Sequence, residues 1–429
     1  MNFNRIVFIF IIILYSVLGL KVLQTELLNG MWGTDALSEW LVNYQAGIVR
    51  RGFAGEVLFQ INSSFDLRPE MLIKSISTIS ILWLSVIFLK TLKRVGIRLF
   101  YAALPIIGVS IFYFHPHFSG LRKDPLLLLI AYYSIYHLYN YQKNKKLSSL
   151  LYWQALLILG IFLHEAFLFY GAPIQLLIYF FTDPINAQNG WIKKSVSLTP
   201  LLGSNLINFL NKGDKTIADS IFDSWRPYLQ SQYGADVSIE KMLSIRALGW
   251  DTLETAKFHL DLNFFNTDNF GIPGIFFFLL IFVVIIYVFA NCNFKYPKLS
   301  QQENFEIFIT IWLSVFMLML PLFTVLSCDY LRLFAYLNLT TIFIYDKFSG
   351  IIAKNTGVLN ALRPFSNRIS ATVYNPRNKW IFNKGIYIFT IFFFLTYSPA
   401  GIKLDEAFKV SIAGRFYQKA IRAWEIYSH

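Results

Sequence analysis

Ser149-Leu-Leu-Tyr-Trp-Gln-Ala-Leu-Leu-Ile-Leu-Gly-Ile-Phe-Leu-His164-Glu165-Ala-Phe-Leu-Phe-Tyr-Gly-Ala-Pro-Ile-Gln-Leu-Leu-Ile-Tyr-Phe-Phe-Thr182 decides how the chain is read. Two apolar runs of about 16 residues each flank one polar pair, His164-Glu165, and each run is near the length of a short or tilted membrane helix. A fully exposed loop would not hold only two polar residues. The reading is of two spans with an ionisable pair at their junction. Ionisable groups within spans cost roughly 2.5–3.5 kcal/mol each on insertion scales, so they are either paired or functional.

Comparable runs lie at 6–22, 71–89, 99–114, 125–140, 149–164, 167–182, 270–290, 305–327, 330–345 and 383–399, with a weaker one at 195–210. The stretch 149–210 reads as one long broken helix or as three crossings with Lys193 and Lys194 between them. Three crossings bring the total to about eleven spans. Composition agrees, since the chain is 55% hydrophobic and only 15% charged, against about 25% charged in soluble domains. The expected fold is therefore all-α: a polytopic transmembrane bundle with a mainly helical extracytoplasmic domain. The N-terminal run is followed by no small-residue cleavage pattern at Gly19-Leu20-Lys21-Val22, so it reads as a retained first span.

Short basic loops orient the spans. Lys93, Arg94 and Arg98 fill one, Lys143, Lys145 and Lys146 another, and Lys295 and Lys298 a third. The longer loop 346–382 carries Lys347, Lys354, Arg363, Arg368, Arg377 and Lys379. All four share a side if the N-terminus is inside, and that side is the cytoplasm by the positive-inside rule. The net charge of +13 then reads as loops facing anionic lipid rather than nucleic acid, for which no basic–aromatic module is present. Segments 23–70, 212–268 and 400–429 fall outside. Cys292 and Cys328 fall at opposite ends of spans, where a disulfide would have to cross the bilayer. No zinc spacing is present, and no cofactor is implied.

The candidate chemistry gathers at outer helix ends. Asp35 and Glu39 are one helical turn apart and share a face. Arg50 and Arg51 adjoin glycines that let backbone approach a ligand, and arginine forks suit phosphate. The alternative is interfacial snorkelling with an arginine–Glu56 salt bridge. Arg122-Lys123-Asp124 precedes Pro125 at a helix start, where Asp124 would be the N-cap; a plain helix start leaves Arg122 and Lys123 unaccounted for. A histidine beside a carboxylate, as in His164-Glu165, suits a base or proton relay, or else a satisfied polar turn. Asp329 would cap the next span and pair with Arg332 at i, i+3. In the 212–268 segment, Ile217, Ile221 and Trp225 recur opposite Asp219 and Asp223, the pattern of an amphipathic helix at the interface. An exposed Trp225-Arg226 would stack on a sugar and hold an anion, or anchor at the membrane surface. No P-loop, G-x-S-x-G or H-E-x-x-H occurs.

With these features, about eleven spans, outer arginines, an acidic first outer segment and a long outer loop, the layout resembles bacterial surface-polysaccharide repeat-unit polymerases of O-antigen and capsule. It also resembles the wider GT-C-like class of multispan glycosyltransferases with lipid-linked donors. Asp35 and Glu39 stand apart here, where that class has an adjacent acidic pair. The resemblance implies a bacterial cytoplasmic-membrane enzyme of surface-polysaccharide or lipopolysaccharide assembly, with a polyprenyl-diphosphate-linked glycan as substrate and assembly proteins as partners. Arg50, Arg51 and Arg122 would hold the diphosphate. Glu165, His164 or Asp35 would deprotonate the acceptor hydroxyl, and 212–268 would line the glycan groove. Lys123, Asp124, Glu56, Asp329, Arg332, Trp225 and Arg226 complete the substrate-binding expectation.

The competing readings are a transporter or flippase of an anionic or lipid-linked substrate, a membrane acyltransferase, and a structural assembly protein. A transporter would place charge near mid-depth, often between inverted repeats. Here the charges fall at one end, and no repeat is evident.

Overall fold

The computed structural model describes residues 34–96, 122–181, 190–260, 299–326, 330–354 and 362–375, with a few positions between 286 and 294 and between 417 and 424. The described chain is helical throughout, with no strand. The expected spans at 6–22, 99–114, 270–290 and 383–399, the retained N-terminus, Asp329 and the tail lie outside these residues, apart from isolated positions. So does the side chain of Asp35.

In chain order the helices are α1 (Thr34–Leu41), α2 (Gly52–Phe65), α3 (Pro69–Val95), α4 (Asp124–Asn144), α5 (Leu147–Leu163), α6 (Phe167–Tyr170), α7 (Ala172–Phe181), α8 (Gly190–Ser197), α9 (Thr199–Leu210), α10 (Lys215–Tyr233), α11 (Leu243–Arg246), α12 (Thr252–Leu260), α13 (Gln301–Pro321), α14 (Tyr330–Lys354) and α15 (Arg363–Val373). Two stretches, Pro69–Val95 and Gln301–Thr324, are long and apolar enough to cross a membrane. Leu147–Leu163 and Phe167–Phe180 are apolar but shorter.

Side-chain pairs fix how the helices run. Asp124 meets Arg332 and Tyr336, Tyr132 meets Phe343, and Tyr139 meets Phe348, so α4 and α14 are parallel. Trp153 on α5 donates to Gln175 on α7, which donates in turn to Ser134 on α4. Gln154 reaches the Ser197 carbonyl, and Asn208 donates to the Ile161 carbonyl. The chain from 147 to 210 therefore traverses the bundle three times, up α5, down α6–α7 and up α8–α9. Lys194 closes the lower turn by donating to the carbonyls of Tyr179 and Phe180.

The two ends of the bundle differ. At one end Arg94 pairs with Asp346, Lys347 also meets Asp346, and Arg363 pairs with Glu306. The capping box of Ser300 and Glu303 starts α13 there. At the other end, α1, α2 and the chain from 212 to 250 pack into a separate layer. Trp225 on α10 is its anchor: 1% exposed, it donates to the Leu41 carbonyl and packs edge-on against Phe59. Asn43 donates to Ser224, and the Ser38 hydroxyl accepts from the Ser244 backbone. The amphipathic pattern of α10 thus turns its apolar face onto protein rather than onto an interface. Burying a whole indole with its N–H satisfied outweighs anchoring it at a surface.

Elsewhere apolar side chains are left uncovered. On α3 they include Ile79, Leu82, Trp83 and Leu89, and on α9 Leu202, Leu206, Phe209 and Leu210. Leu82 is 62% exposed and Phe209 80%.

Candidate functional site

The chain from Trp40 to Gly55 positions the site. Gly55 lies so close to Val42 that a Cβ would sit 1.9 Å from the Val42 carbonyl oxygen, and a Cβ on Gly52 would enter the Tyr44 ring. These glycines let α2 close on its own preceding loop, not on a ligand as the sequence suggested. Glu56 ties that loop, accepting from the Tyr44 backbone at 2.9 Å and from the Gln45 and Gln60 side chains. It stands apart from the arginines, so neither the arginine–Glu56 bridge nor a substrate contact by Glu56 finds support. Arg51 itself sits at φ 66°, in the left-handed region, which is unfavourable for a residue with a Cβ. The contacts on both sides of it hold it there.

Arg51 makes the central ion pair. Its Nε donates to Glu165 at 2.7 and 2.5 Å, and its Nη2 closes on Glu165 Oε1. Arg50 Nη1 lies 4.0 Å from Glu165 Oε1, while Arg50 Nη2 donates to the Ala247 carbonyl at 3.3 Å. The Arg50 backbone N–H donates to the Asn211 carbonyl. Burial would raise the Glu165 carboxyl, but Arg51, His164 and Arg50 outweigh it and hold it well below the usual carboxylate range. Glu165 is thus a fixed anion, poorly suited to taking a proton.

Lys123 is fully buried and donates to the Arg51 carbonyl at 3.2 Å and the Leu163 carbonyl at 3.3 Å. Burial pulls its ammonium down to about 8, with Arg51 adding to the effect and Glu39 and Glu165 opposing it. It braces the Arg51 backbone against α5 and is enclosed by protein. Asp124 is the first residue of α4 and does not cap it. Its carboxylate takes Arg332 through Nε at 2.8 Å and Nη2 at 2.7 Å, together with the Tyr336 hydroxyl. Arg332 is thereby paired across the bundle. The Tyr336 ring stacks on Tyr170 at 4.1 Å between centroids.

Glu39 occupies the middle. Its side chain is 3% exposed, with His164 Nε2 at 3.5 Å, Arg332 Nη2 at 3.8 Å and Arg122 Nη1 at 3.9 Å. Its Oε1 is buried and makes no hydrogen bond. His164 Nδ1 accepts the Ala166 backbone N–H at 3.1 Å, so the ring proton is on Nε2, pointing towards Glu39. His164 orients the carboxylate and does not offer a free lone pair.

The structure therefore brings Arg50, Arg51, Arg122, Lys123, Asp124, His164, Glu165 and Arg332 together. Among the described side chains here, arginine and lysine outnumber the carboxylates Glu39, Asp124 and Glu165 by two. Arg226 is not among them; it pairs with Asp223 on the surface. Trp225, buried in the layer core, cannot stack on a sugar. Sequence reasoning placed Glu39 on a face with Asp35 but gave it no role, because Leu37–Leu41 are all buried and no periodicity singles the carboxylate out. Tyr336 follows Arg332 by one helical turn, a signal that was available; nothing in the apolar run marks Tyr170. Among the described residues no group of three His, Cys, Asp or Glu side chains could hold a metal ion. No family model, curated protein or solved structure matches the chain.

Proposed function

We propose that this protein is a multi-pass enzyme of the bacterial cytoplasmic membrane that transfers glycosyl units from a polyprenyl-diphosphate-linked glycan at the outer face, polymerising surface-polysaccharide repeats. One observation carries the reading: a buried, cation-rich cluster at one end of an apolar bundle encloses a carboxylate whose oxygen has no hydrogen bond.

A membrane setting is supported by the two long apolar helices and by the uncovered apolar faces of α3 and α9. About eleven spans, an inside N-terminus and an outer layer built from 34–66 and 212–260 follow from the loop charges. Those charges agree with the basic end of the bundle. Along α14, Arg332 and Asp346 are separated by about 21 Å of helix, less than the roughly 30 Å of a hydrocarbon core. A charged layer that shallow meets a lipid-borne phosphate without lifting it into water.

In the reaction, the acceptor hydroxyl would lie against Glu39 Oε1, which takes its proton as the oxygen bonds to the donor's anomeric carbon. The bond from that carbon to the diphosphate oxygen breaks, and polyprenyl diphosphate departs with the electron pair. Arg50 and Arg122 would meet its growing charge in a water-poor site, with Arg51 and Arg332 fixed by their carboxylates. Glu39 replaces Glu165 and His164 as the preferred base because both of those are committed to other partners. Clustering at one end argues against transport, which would place the charge at mid-depth.

The test is a surface-glycan profile of the deletion strain. The reading expects loss of the high-mass ladder with a single repeat retained. It expects restoration by the wild-type chain and none by Arg50→Ala or Glu39→Gln at equal protein level. An unchanged ladder in the deletion strain would overturn it.

A further inference from the structure

Trp225 is consumed by packing, yet the same layer carries another aromatic pair with a different fate. Trp250 and Phe258 lie with ring centroids 5.1 Å apart and planes at 49°. Phe258 is 41% exposed. The Arg246 guanidinium stands 5.9 Å from the Trp250 ring and is itself paired with Glu240 at 2.7 Å.

The pair is held rigidly. Asp251 accepts the Glu254 backbone N–H at 2.6 Å, and Glu254 accepts that of Asp251 at 2.9 Å, a reciprocal cap that fixes the start of α12. The helix packs against Leu322–Leu326, which follow the C-terminus of α13. Three residues before Trp250, the Ala247 carbonyl accepts from Arg50. Trp250 is thus within about 11 Å of chain from the carbonyl held by an arginine of the cluster.

We propose that Trp250 and Phe258 form a carbohydrate-binding subsite that holds a pyranose ring of the glycan next to the charged cluster. The proposal rests on the glycosyl-transfer reading above and names the subsite that reading lacks. Rigid aromatic faces bordered by a few polar groups are suited to sugars, whose C–H faces are apolar and whose edges are hydroxylated. Here Arg246, paired with Glu240, borders the Trp250 ring. The exposed face of α12 mixes Leu253 and Phe258 with Glu254 and Lys257, whereas a lipid-anchoring face would be more uniformly apolar.

The experiment compares Trp250→Ala, Trp250→Phe, Phe258→Ala and Phe258→Leu in the deletion strain, scoring ladder length and membrane protein level, with Arg50→Ala alongside. Loss of stacking is expected to loosen the grip on the chain roughly 2- to 10-fold. Trp250→Ala, Phe258→Ala and Phe258→Leu then give shorter ladders at normal protein level, Trp250→Phe restores length, and Arg50→Ala gives none. If the ladders keep their length while Arg50→Ala abolishes them, the subsite is wrong and the function stands. Tolerance of Phe258→Leu, with Phe258→Ala lowering only protein level, identifies a membrane anchor and overturns the subsite. If Arg50→Ala also leaves the ladder intact, both readings fall together.

Discussion

Arg51–Glu165 and Arg94–Asp346 are the same chemical pair at opposite ends of one bundle, set in different surroundings. Arg94 is 49% exposed while its partner Asp346 is 5% exposed, and Asp346 has Lys347 as a second cation. Arg51 and Glu165 are each about one-fifth exposed and adjoin Arg50, His164 and the enclosed Glu39. A pair whose arginine is half in water contributes little to stability through that arginine, the more so where a second cation already serves the carboxylate. Enclosed charges must be compensated on all sides, and breaking one set costs far more. The difference teaches that the basic end leaves its arginines half in water around enclosed carboxylates, while the opposite end encloses arginines and carboxylates together, the condition under which an anionic ligand is gripped.

The largest expected effect belongs to Glu39. Replacing it with Gln keeps the shape and removes the proton acceptor, so on the proposed reading transfer by the purified chain should fall by roughly 10²- to 10⁴-fold; near-normal turnover would remove Glu39 from the chemistry. Glu165→Gln should act instead on stability. It leaves Arg51 enclosed without its anion, at a cost of about 3 kcal/mol, read by thermal unfolding in detergent. Because the Glu165 carboxyl is depressed in the fold, the wild-type advantage should persist at neutral pH. It should fade only as pH drops below the ordinary value of 4.5 and through the folded one. A wild-type advantage already lost at pH 6 would contradict that account.

Lys123 gives a slope of the same sign in a separate, alkaline window. With its ammonium near 8 in the fold and 10.5 when unfolded, the unfolded chain binds more protons between those values. Wild-type stability relative to Lys123→Met should therefore rise from pH 8 to 10.5, and a flat difference would mean that Lys123 is hydrated. The smallest effect is expected of Arg94→Gln, within about 1 kcal/mol and without change in transfer. A loss comparable to Glu165→Gln would erase the contrast between the two ends.

Much of this contrast was legible in the sequence. Two of the apolar runs predicted from hydropathy coincide with the helices long and apolar enough to span, and the His164-Glu165 junction coincides with the turn between α5 and α6. The convergence of Arg50, Arg51, Arg122 and His164-Glu165 was also readable, since charges flanking apolar runs on one side must meet when helices bundle. Pairing was not. Arg51 chose Glu165 over the nearby Glu56, and Arg332 chose Asp124, because long-range packing sets those distances and sequence separation does not. Trp225 read as a surface residue because α10 is amphipathic, and nothing in the pattern says whether its apolar face meets lipid or protein. The 34–66 layer supplied the answer.

The most direct test is binding of polyprenyl diphosphate to the purified chain in lipid nanodiscs, comparing wild type, Arg50→Ala and Arg94→Gln. The account predicts saturable binding by the wild type, retained by Arg94→Gln and weakened at least about tenfold by Arg50→Ala, as expected for a lost charge-assisted contact to phosphate. Equal binding by all three, or none by the wild type, would contradict it.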